Sequence, residues 1–280
     1  ATTGVVTATI NGDAAELDDL STSGNDLLAI TVNDSLSGAS GVTALNTILS
    51  ATDGTVTATI SGTAAQLASL TATGSDTGTS TLTITVSDAA TAAQGAAIAD
   101  ATDASTVDFS ANGVSDTLAN LTSSGAVSTN MGKIDAKDAN VNVALSSTIE
   151  DASAQNVSDL NALLAATTGT VTASIDGNQA QLVSITANSS SAATNALTIV
   201  VDDVVTAAQG AAIAAATNAS TVDFSAAGVN DTLANLTDTD AASTNMAAID
   251  AKDANVNVTV SDTIEDASAQ NVSDLNALLA

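Results

Sequence analysis

The stretch GTVTATISGTAAQL (54–67) contains the pattern that decides the fold. Its first part alternates apolar residues with Thr, which is typical of a strand with one buried face. The residues at 56, 58 and 60 (Val, Ala and Ile) are expected to point inward, and the Thr residues between them outward. The following TAAQLASL (63–70) places its two Leu residues on one face of a helix. The stretch therefore predicts one strand followed by one short helix.

The same pattern recurs along the whole chain. Residues 51–165 align with 166–280 without a gap, and 84 of the 115 aligned positions are identical. Residues 1–50 form a shortened partial copy, because TGVVTATINGDAAEL (3–17) resembles TGTVTASIDGNQAQL (168–182). We therefore predict one continuous structure with a partial repeat (1–50), repeat 1 (51–165) and repeat 2 (166–280). Both ends of the sequence fall inside the periodic pattern, so further repeats are expected outside it.

Each 115-residue repeat contains four alternating runs, which predict four strands. In repeat 1 these are TVTATI (55–60), TLTITV (81–86), TVDF (106–109) and NVNVAL (140–145). With the partial copy, ten strand–helix units are expected, and their strands begin near Val5, Leu27, Val56, Leu82, Val107, Val141, Val171, Leu197, Val222 and Val256. Helix starts are expected at the caps Thr63, Asp88, Ser115 or Asp116, and Asp151. Long surface loops are expected at 73–80, 122–138 and 187–195.

The alternation of strand and helix predicts an α/β fold with parallel strands. A doubly wound sheet would need strands that are apolar on both faces, and these strands alternate with Thr, Asn and Asp. The pattern therefore favours a one-sided right-handed α/β solenoid, with a parallel sheet on one side and short Ala-rich helices on the other. The small side chains suit two layers that lie close together, since a wide core needs bulkier residues.

The composition excludes several classes of function. The chain has 31 acidic residues against three Lys, a net charge of −28, so it lacks the cations that bind nucleic acid or an anionic membrane. No apolar run reaches the length of a membrane-spanning helix. Without His and Cys, Ser–His and Cys–His catalytic arrangements cannot form. The acidic pair Glu150–Asp151, repeated at Glu265–Asp266, is typical of a helix cap rather than an active site, so no enzyme is expected.

Calcium is the ligand that the sequence favours most. Hard cations bind several oxygens from Asp, Asn and backbone carbonyls. Such oxygens occur in IDAKDAN (134–140), which recurs at 249–255, and at the predicted helix caps. The candidate ligands are Asp88, Asp116, Asp135, Asp138, Asp151, Asp250, Asp253 and Asp266. Capping and solvation explain each Asp equally well, and both interpretations stay open.

A Thr-rich exposed strand face predicts a different kind of function. TVTATI and TLTITV would stack rows of Thr, such as Thr57, Thr59, Thr83 and Thr85, and flat Thr arrays resemble the ice-binding faces of some solenoids. Asp108 interrupts these rows, and exposed strands favour Thr in any case. Ice or glycan binding is therefore the alternative function.

SDAATAAQGAAIA (87–99) and STVDFSANGVSDTLANL (105–121) resemble the Ala/Thr/Asp-rich tandem repeats of giant surface proteins from cyanobacteria and marine bacteria. The resemblance covers essentially the whole chain. It implies an extracellular or cell-surface segment, exported by a type I route, that serves in an adhesin stalk, a filament or a surface layer. Further copies of the same repeat are the expected partners, either in the same chain or by self-assembly.

Overall fold

Strands and helices alternate along the chain in the computed structural model, which describes residues 4–22, 26–71, 80–101, 106–109, 112–186, 195–215, 221–224 and 226–279. The strands are β1 (Thr7–Gly12), β2 (Leu27–Ser37), β3 (Val56–Gly62), β4 (Thr81–Val86), β5 (Thr106–Asp108), β6 (Val114–Asp116), β7 (Thr122–Ser123), β8 (Ala126–Val127), β9 (Val143–Leu145), β10 (Val171–Gly177), β11 (Ala196–Val201), β12 (Thr221–Asp223), β13 (Val229–Asp231) and β14 (Val258–Val260). The helices are α1 (Ala14–Leu17), α2 (Gly38–Ser50), α3 (Ala64–Leu67), α4 (Ala92–Asp100), α5 (Leu118–Leu121), α6 (Thr129–Lys137), α7 (Ala154–Ala166), α8 (Gln179–Leu182), α9 (Ala207–Ala215), α10 (Leu233–Leu236), α11 (Thr244–Asp250) and α12 (Ala269–Leu279).

The predicted α/β class is confirmed, with two parallel five-stranded sheets alternating with helices. The first sheet has the order β1-β2-β3-β4-β5, so each strand pairs with the next one along the chain. Its register stacks aliphatic side chains across the strands, and Ile60 pairs with Ile84, which pairs with Val107. All three are at most 1% exposed. These stacked side chains form the continuous apolar strip that the period-two alternation predicts.

The described residues group into two compact units. The first contains 1–116 and 128–144, and the second contains 117–127 and 145–280. Within the second unit the pattern of the first sheet recurs, because β10 pairs in parallel with β11, and β11 with β12. In the same register Ile175 pairs with Ile199.

The ten predicted strands are all present, and each begins within two residues of its predicted first apolar position. The alternation is confirmed in β3, where Val56, Ala58 and Ile60 are buried, and Thr57 and Thr59 are exposed. The described residues contain four further strands that were not predicted, β6, β7, β8 and β13, each of two or three residues.

The predicted long loop at 122–138 is wrong. It contains the antiparallel pair β7–β8 and the nine-residue helix α6. The Ser128 side chain caps this helix, and Met131 and Ile134 are buried on one face of it. Two apolar residues three apart are a weak periodic signal among polar neighbours. The other two predicted loops, at 73–80 and 187–195, lie outside the described residues except for their last residue.

Only one of the predicted helix caps is correct. Thr63 caps α3, and its hydroxyl accepts the backbone N–H of Gln66. The caps of α4, α5 and α7 lie one to three residues after the predicted ones, at Thr91, Thr117 and Ser153. The side chains of Asp88 and Asp116 bind elsewhere, as described below.

Glycine lets two pairs of helices approach closely. In the first unit α4 packs on α6, and a Cβ at Gly95 would lie 2.6 Å from Cδ1 of Ile134. In the second unit α9 packs on α11, and a Cβ at Gly210 would lie 2.7 Å from Cδ1 of Ile249. The thin core therefore depends on missing side-chain atoms as well as on Ala. Among the described residues no helix has both the length and the apolar character that crossing a membrane requires.

Candidate functional site: contacts between successive strand–helix units

Six helices begin with the same contact to a later strand. The first backbone N–H of each helix donates to the carboxylate of an Asp that lies 20, 24 or 29 residues further along, in or just after a strand. We call these the helix-start contacts, and their N···O distances are 2.6–3.1 Å. A carboxylate at this place satisfies an N–H that the helix itself leaves unpaired, and it complements the helix dipole. The pairs are Ala14–Asp34, Ala64–Asp88, Ala92–Asp116, Gln179–Asp203, Ala207–Asp231 and Leu233–Asp262.

A second series of contacts lies at the strands. A backbone N–H at the start or end of a strand donates to a polar side chain 20, 24 or 29 residues later, over 2.8–3.3 Å. We call these the strand-end contacts, because the donor lies at one or the other end of a strand. All but one of the accepting residues are at most 9% exposed. Each buried polar side chain thus has a partner, as burial requires. The pairs are Val6–Asp26, Leu28–Thr52, Val56–Ser80, Phe109–Asp138, Val171–Asn195 and Phe224–Asp253.

The two long helices α2 and α7 add a third contact of the same kind. The side-chain amide of Asn46 donates to the carbonyl of Ser69 at 3.0 Å and accepts the N–H of Thr71 at 2.9 Å. Asn161 makes the same pair of bonds to Ser184 and Thr186. A single side chain therefore bridges two backbone groups of the following unit, and it does so at the same position of two repeats.

Four of the eight candidate calcium ligands belong to these contacts. Asp88 and Asp116 each accept a helix-start N–H, and Asp138 and Asp253 accept the N–H of a Phe. The interpretation of Asp88 and Asp116 as helix caps is therefore right about the chemistry and wrong about the helix. Each carboxylate caps the helix that begins 24 residues before it.

The remaining four candidates have separate surroundings. Asp151 and Asp266 are exposed, and their backbone carbonyls accept the side-chain amides of Asn156 and Asn271 at 2.7 Å. Asp250 is exposed.

Asp135 differs from the other candidates, because its Oδ1 atom is buried without a hydrogen-bond partner. Burial, together with the negative charge of Asp138, raises the pKa of Asp135. Apart from this pair, the structure does not gather the candidate ligands: the described parts of the chain contain no group of three or more acidic side chains positioned to hold a metal ion. Calcium binding stays a prediction. A melting curve recorded with and without a chelator tests it, and an unchanged curve would count against calcium.

Asp231, one of the helix-start acceptors, binds three donors. Its carboxylate accepts the N–H groups of Ala207 and Thr232 and the side-chain amide of Asn235, at 2.7–3.1 Å. Burial alone would raise the pKa of this carboxyl, but the three donors outweigh it and the pKa lies below its ordinary value. The ionised form of Asp231 is therefore part of the folded structure at neutral pH.

The helix-start contacts have a signal in the sequence, at the accepting Asp. Each accepting Asp stands two residues after a Val, in the pattern V-x-D. The Asp lies within the strand, at its last residue or two residues after it, where its carboxylate reaches the first N–H of the preceding helix. In the helix-start contacts the pattern lies at 32–34, 86–88, 114–116, 201–203, 229–231 and 260–262, and it also occurs at 157–159, 200–202 and 272–274, outside these contacts.

The outward face of the first sheet carries rows of hydroxyls. Thr57 pairs with Thr81, and Thr59 pairs with Thr83, which in turn pairs with Thr106. All five Thr residues are exposed. The rows are as the sequence predicts, and they end in Asp108 beside Thr85.

No protein-family model matches the sequence, and no curated protein or solved structure is significantly similar to it.

Proposed function

We propose that the chain is a structural repeat segment of a larger extracellular bacterial protein, in an adhesin stalk, a cell-surface filament or a surface layer. In this proposal the units stack into a one-sided right-handed α/β solenoid, with the parallel sheet on one side and the Ala-rich helices on the other. One observation carries the proposal: the same contacts join successive strand–helix units repeatedly, most often between residues 24 positions apart.

Repeated contacts of this kind suit a mechanical role. Each helix-start contact is a charge-assisted hydrogen bond, and the loss of such a cap costs about 0.5–2 kcal/mol. The bonds join neighbouring units, so the stability of the stack is the sum of many similar interfaces. A load applied along the stack acts on every interface in series, so such a segment needs interfaces of similar strength, which repeated contacts supply.

The composition supports a place outside the cell and a role other than catalysis. A net charge of −28 keeps such a surface soluble at high local concentration. The lack of Cys is shared with many secreted bacterial repeat proteins, and the lack of His removes the usual general base. The resemblance to giant surface-protein repeats points the same way, including export by a type I route.

Immunogold labelling of the producing bacterium with an antibody raised against the chain tests the proposal. We expect gold particles at the cell surface or on material outside it, and no labelling in a deletion strain. Labelling confined to the cell interior would contradict the proposal.

The exposed Thr rows favour one second function, ice or glycan binding. Thr57, Thr59, Thr83 and Thr85 all lie on the exposed face of adjacent parallel strands. Such a face predicts that the isolated chain inhibits ice recrystallisation or binds a glycan array. Replacing Thr59 and Thr83 by Tyr would abolish this activity and leave the melting temperature nearly unchanged. Wild-type protein without activity would exclude this function.

A further inference from the structure

An open cleft of about 410 Å³ lies between β5 and the turn that follows α6. Its lining residues are 106–108, which form β5, and 137–140, at the end of α6 and in the turn. All of them belong to the first unit. Sites for small molecules usually have volumes of roughly 300–1,000 Å³, so the cleft has the size of a site for one small ligand.

The cleft exists because a turn, and not a strand, follows α6 beside β5. The helix ends at Lys137. The chain then turns, with the N–H of Val141 donating to the carbonyl of Asp138 at 3.2 Å, and β9 begins only at Val143. The Oδ2 atom of Asp138 accepts the N–H of Phe109 at 2.9 Å, which ties the turn to the end of β5. The shape of the cleft is therefore set by hydrogen bonds within the folded unit.

The polar side chains at the cleft complement one another as donors and acceptors. Lys137 only donates hydrogen bonds, the carboxylates of Asp108 and Asp138 only accept them, and Asn140 does both. Asp138 is 8% exposed, and because its Oδ2 atom accepts the N–H of Phe109, a ligand in the cleft meets its Oδ1 atom. A ligand that fills the cleft therefore needs groups that both donate and accept.

The charges around the cleft favour a neutral ligand. An anion would lie beside the carboxylates of Asp108 and Asp138, and the net charge of −28 on the chain repels it further. A metal ion would lie beside the ammonium of Lys137, and in the described part of the chain no third acidic side chain joins the two Asp residues to hold it. A sugar avoids both conflicts, because each of its hydroxyls donates one hydrogen bond and accepts others.

The same residues occur in the second repeat. STVDF and IDAKDAN, which contain all the lining residues, each occur in both repeats, 115 residues apart. Lys137 and Lys252 are two of the three Lys residues in the chain, and the third, Lys133, has no counterpart. The contact that shapes the turn recurs as well, because the N–H of Phe224 donates to Oδ2 of Asp253 at 2.8 Å. The chain therefore contains this set of donors and acceptors twice.

We propose that the cleft binds one sugar residue of a neutral glycan. Two neighbouring hydroxyls of the sugar donate to the carboxylates of Asp108 and Asp138. The ammonium of Lys137 and the side-chain amide of Asn140 donate to oxygens of the same sugar. The proposal names the residues of a saccharide site, and it does not rest on the structural role proposed above.

The exposed Thr rows lead to this cleft. Thr106 lines the cleft and pairs with Thr83, which pairs with Thr59 on the next strand. Further sugars of a glycan held in the cleft would lie over these hydroxyls. The cleft therefore gives glycan binding, the second function, an anchoring site that the Thr rows alone do not provide.

Saturation-transfer NMR on the full chain tests the proposal. The probes are the methyl glycosides of glucose, galactose, mannose, fucose and N-acetylglucosamine, all of which are neutral. The lining residues include no aromatic ring on which a sugar could stack, so we expect a Kd of about 1 mM for a single sugar. Probe concentrations of up to about 10 mM then reach near-saturation.

Two pairs of substitutions remove the donors from both copies of the site. Lys137→Met with Lys252→Met removes the ammonium groups and keeps the apolar stems. Asn140→Ala with Asn255→Ala removes two amides from exposed positions, where the fold does not depend on them. Lys133→Met is the control, because it removes a Lys from the same helix outside the cleft. Circular dichroism melting shows whether each variant is folded.

We expect at least one probe to receive saturation from the wild type and from the control, with and without EDTA. Both pairs of cleft substitutions should raise the Kd of that probe at least about tenfold, because each removes hydrogen bonds to the ligand. Thr59→Tyr, two strands away from Thr106, should leave the binding of a single sugar unchanged.

Three results would overturn the proposal: no saturation of any probe, cleft variants that bind like the wild type, or binding that EDTA abolishes. Binding that is lost in Thr59→Tyr and kept in the cleft variants would assign the sugar to the Thr rows, which supports the second function and overturns the cleft. None of these results bears on the structural role, which the labelling experiment tests separately.

Discussion

Replacing Asp231 by Asn tests whether the helix-start contacts hold neighbouring units together. One carboxylate oxygen accepts the N–H of Ala207, and the other accepts Thr232 and Asn235. An Asn amide keeps only one oxygen, so its NH₂ group faces at least one buried donor. An unsatisfied donor costs about 1–3 kcal/mol, and we take about 2 kcal/mol for a residue that is 9% exposed. For a structure of this size, a loss of about 2 kcal/mol lowers the melting temperature by about 4–8 °C.

Differential scanning calorimetry of Asp231→Asn measures this loss, with Asp202→Asn as the matched control. Asp202 is exposed, so its variant loses the same charge and should change by less than about 0.5 kcal/mol. The sign of the pH dependence follows from the lowered pKa of Asp231. The stability that ionised Asp231 contributes is present above the unfolded pKa of about 3.9, and it is lost as the pH falls through the folded pKa. The melting temperatures of the variant and the wild type should therefore begin to converge below about pH 4. Equal melting temperatures of the two variants at pH 7 would refute the reasoning.

Three further predictions concern single residues. Gly95→Ala should lower the free energy of unfolding by about 1–3 kcal/mol, because its Cβ would lie 2.6 Å from Cδ1 of Ile134. Gly132→Ala on α6 should raise it by about 0.4–1 kcal/mol, because its Cβ would meet no atom within 4 Å. Urea unfolding measures both changes. Asp135→Asn should add about 1 kcal/mol at pH 7, because it removes a partly buried negative charge next to Asp138. The same change at exposed Asp250 should be neutral. This gain should shrink as the pH falls, because the pKa of Asp135 is raised and its charge disfavours the fold only as the pH rises through the folded pKa. Thermal melts at pH 4 and pH 7 measure the gain, and equal gains at the two pH values would contradict the prediction.

The strands were predictable because their signal is local. In β3 and β4 every second residue is apolar, and those residues are buried. The strand–helix alternation and the 115-residue repeat can likewise be read from the chain. Helix α6 was not predictable in the same way, because its apolar face consists of Met131 and Ile134 alone. The hairpin β7–β8 has two residues in each strand, which is too few for any periodic pattern.

The roles of the Asp residues could not be predicted from local patterns. Asp88 stands close before α4, so a local interpretation assigns it to that helix, whereas its carboxylate accepts the N–H of Ala64 in the preceding unit. The partner is 24 residues away, and only the parallel register of the strands brings the two together. Once the register is known, a V-x-D in or directly after a strand marks the acceptor of each helix-start contact, including Asp34 and Asp262.

Hydrogen–deuterium exchange of residues 146–160 and 261–275 tests most directly whether each strand–helix unit is stabilised by the one that follows it. Peptides 146–160 and 261–275 differ in sequence at a single position, Ser147 against Asp262, so their masses differ while their intrinsic exchange rates nearly coincide. In dilute, low-salt solution we expect 146–160 to be strongly protected and 261–275 to exchange much faster, since only the first is covered by β10 and α8. Equal protection of the two peptides in dilute solution would contradict the account.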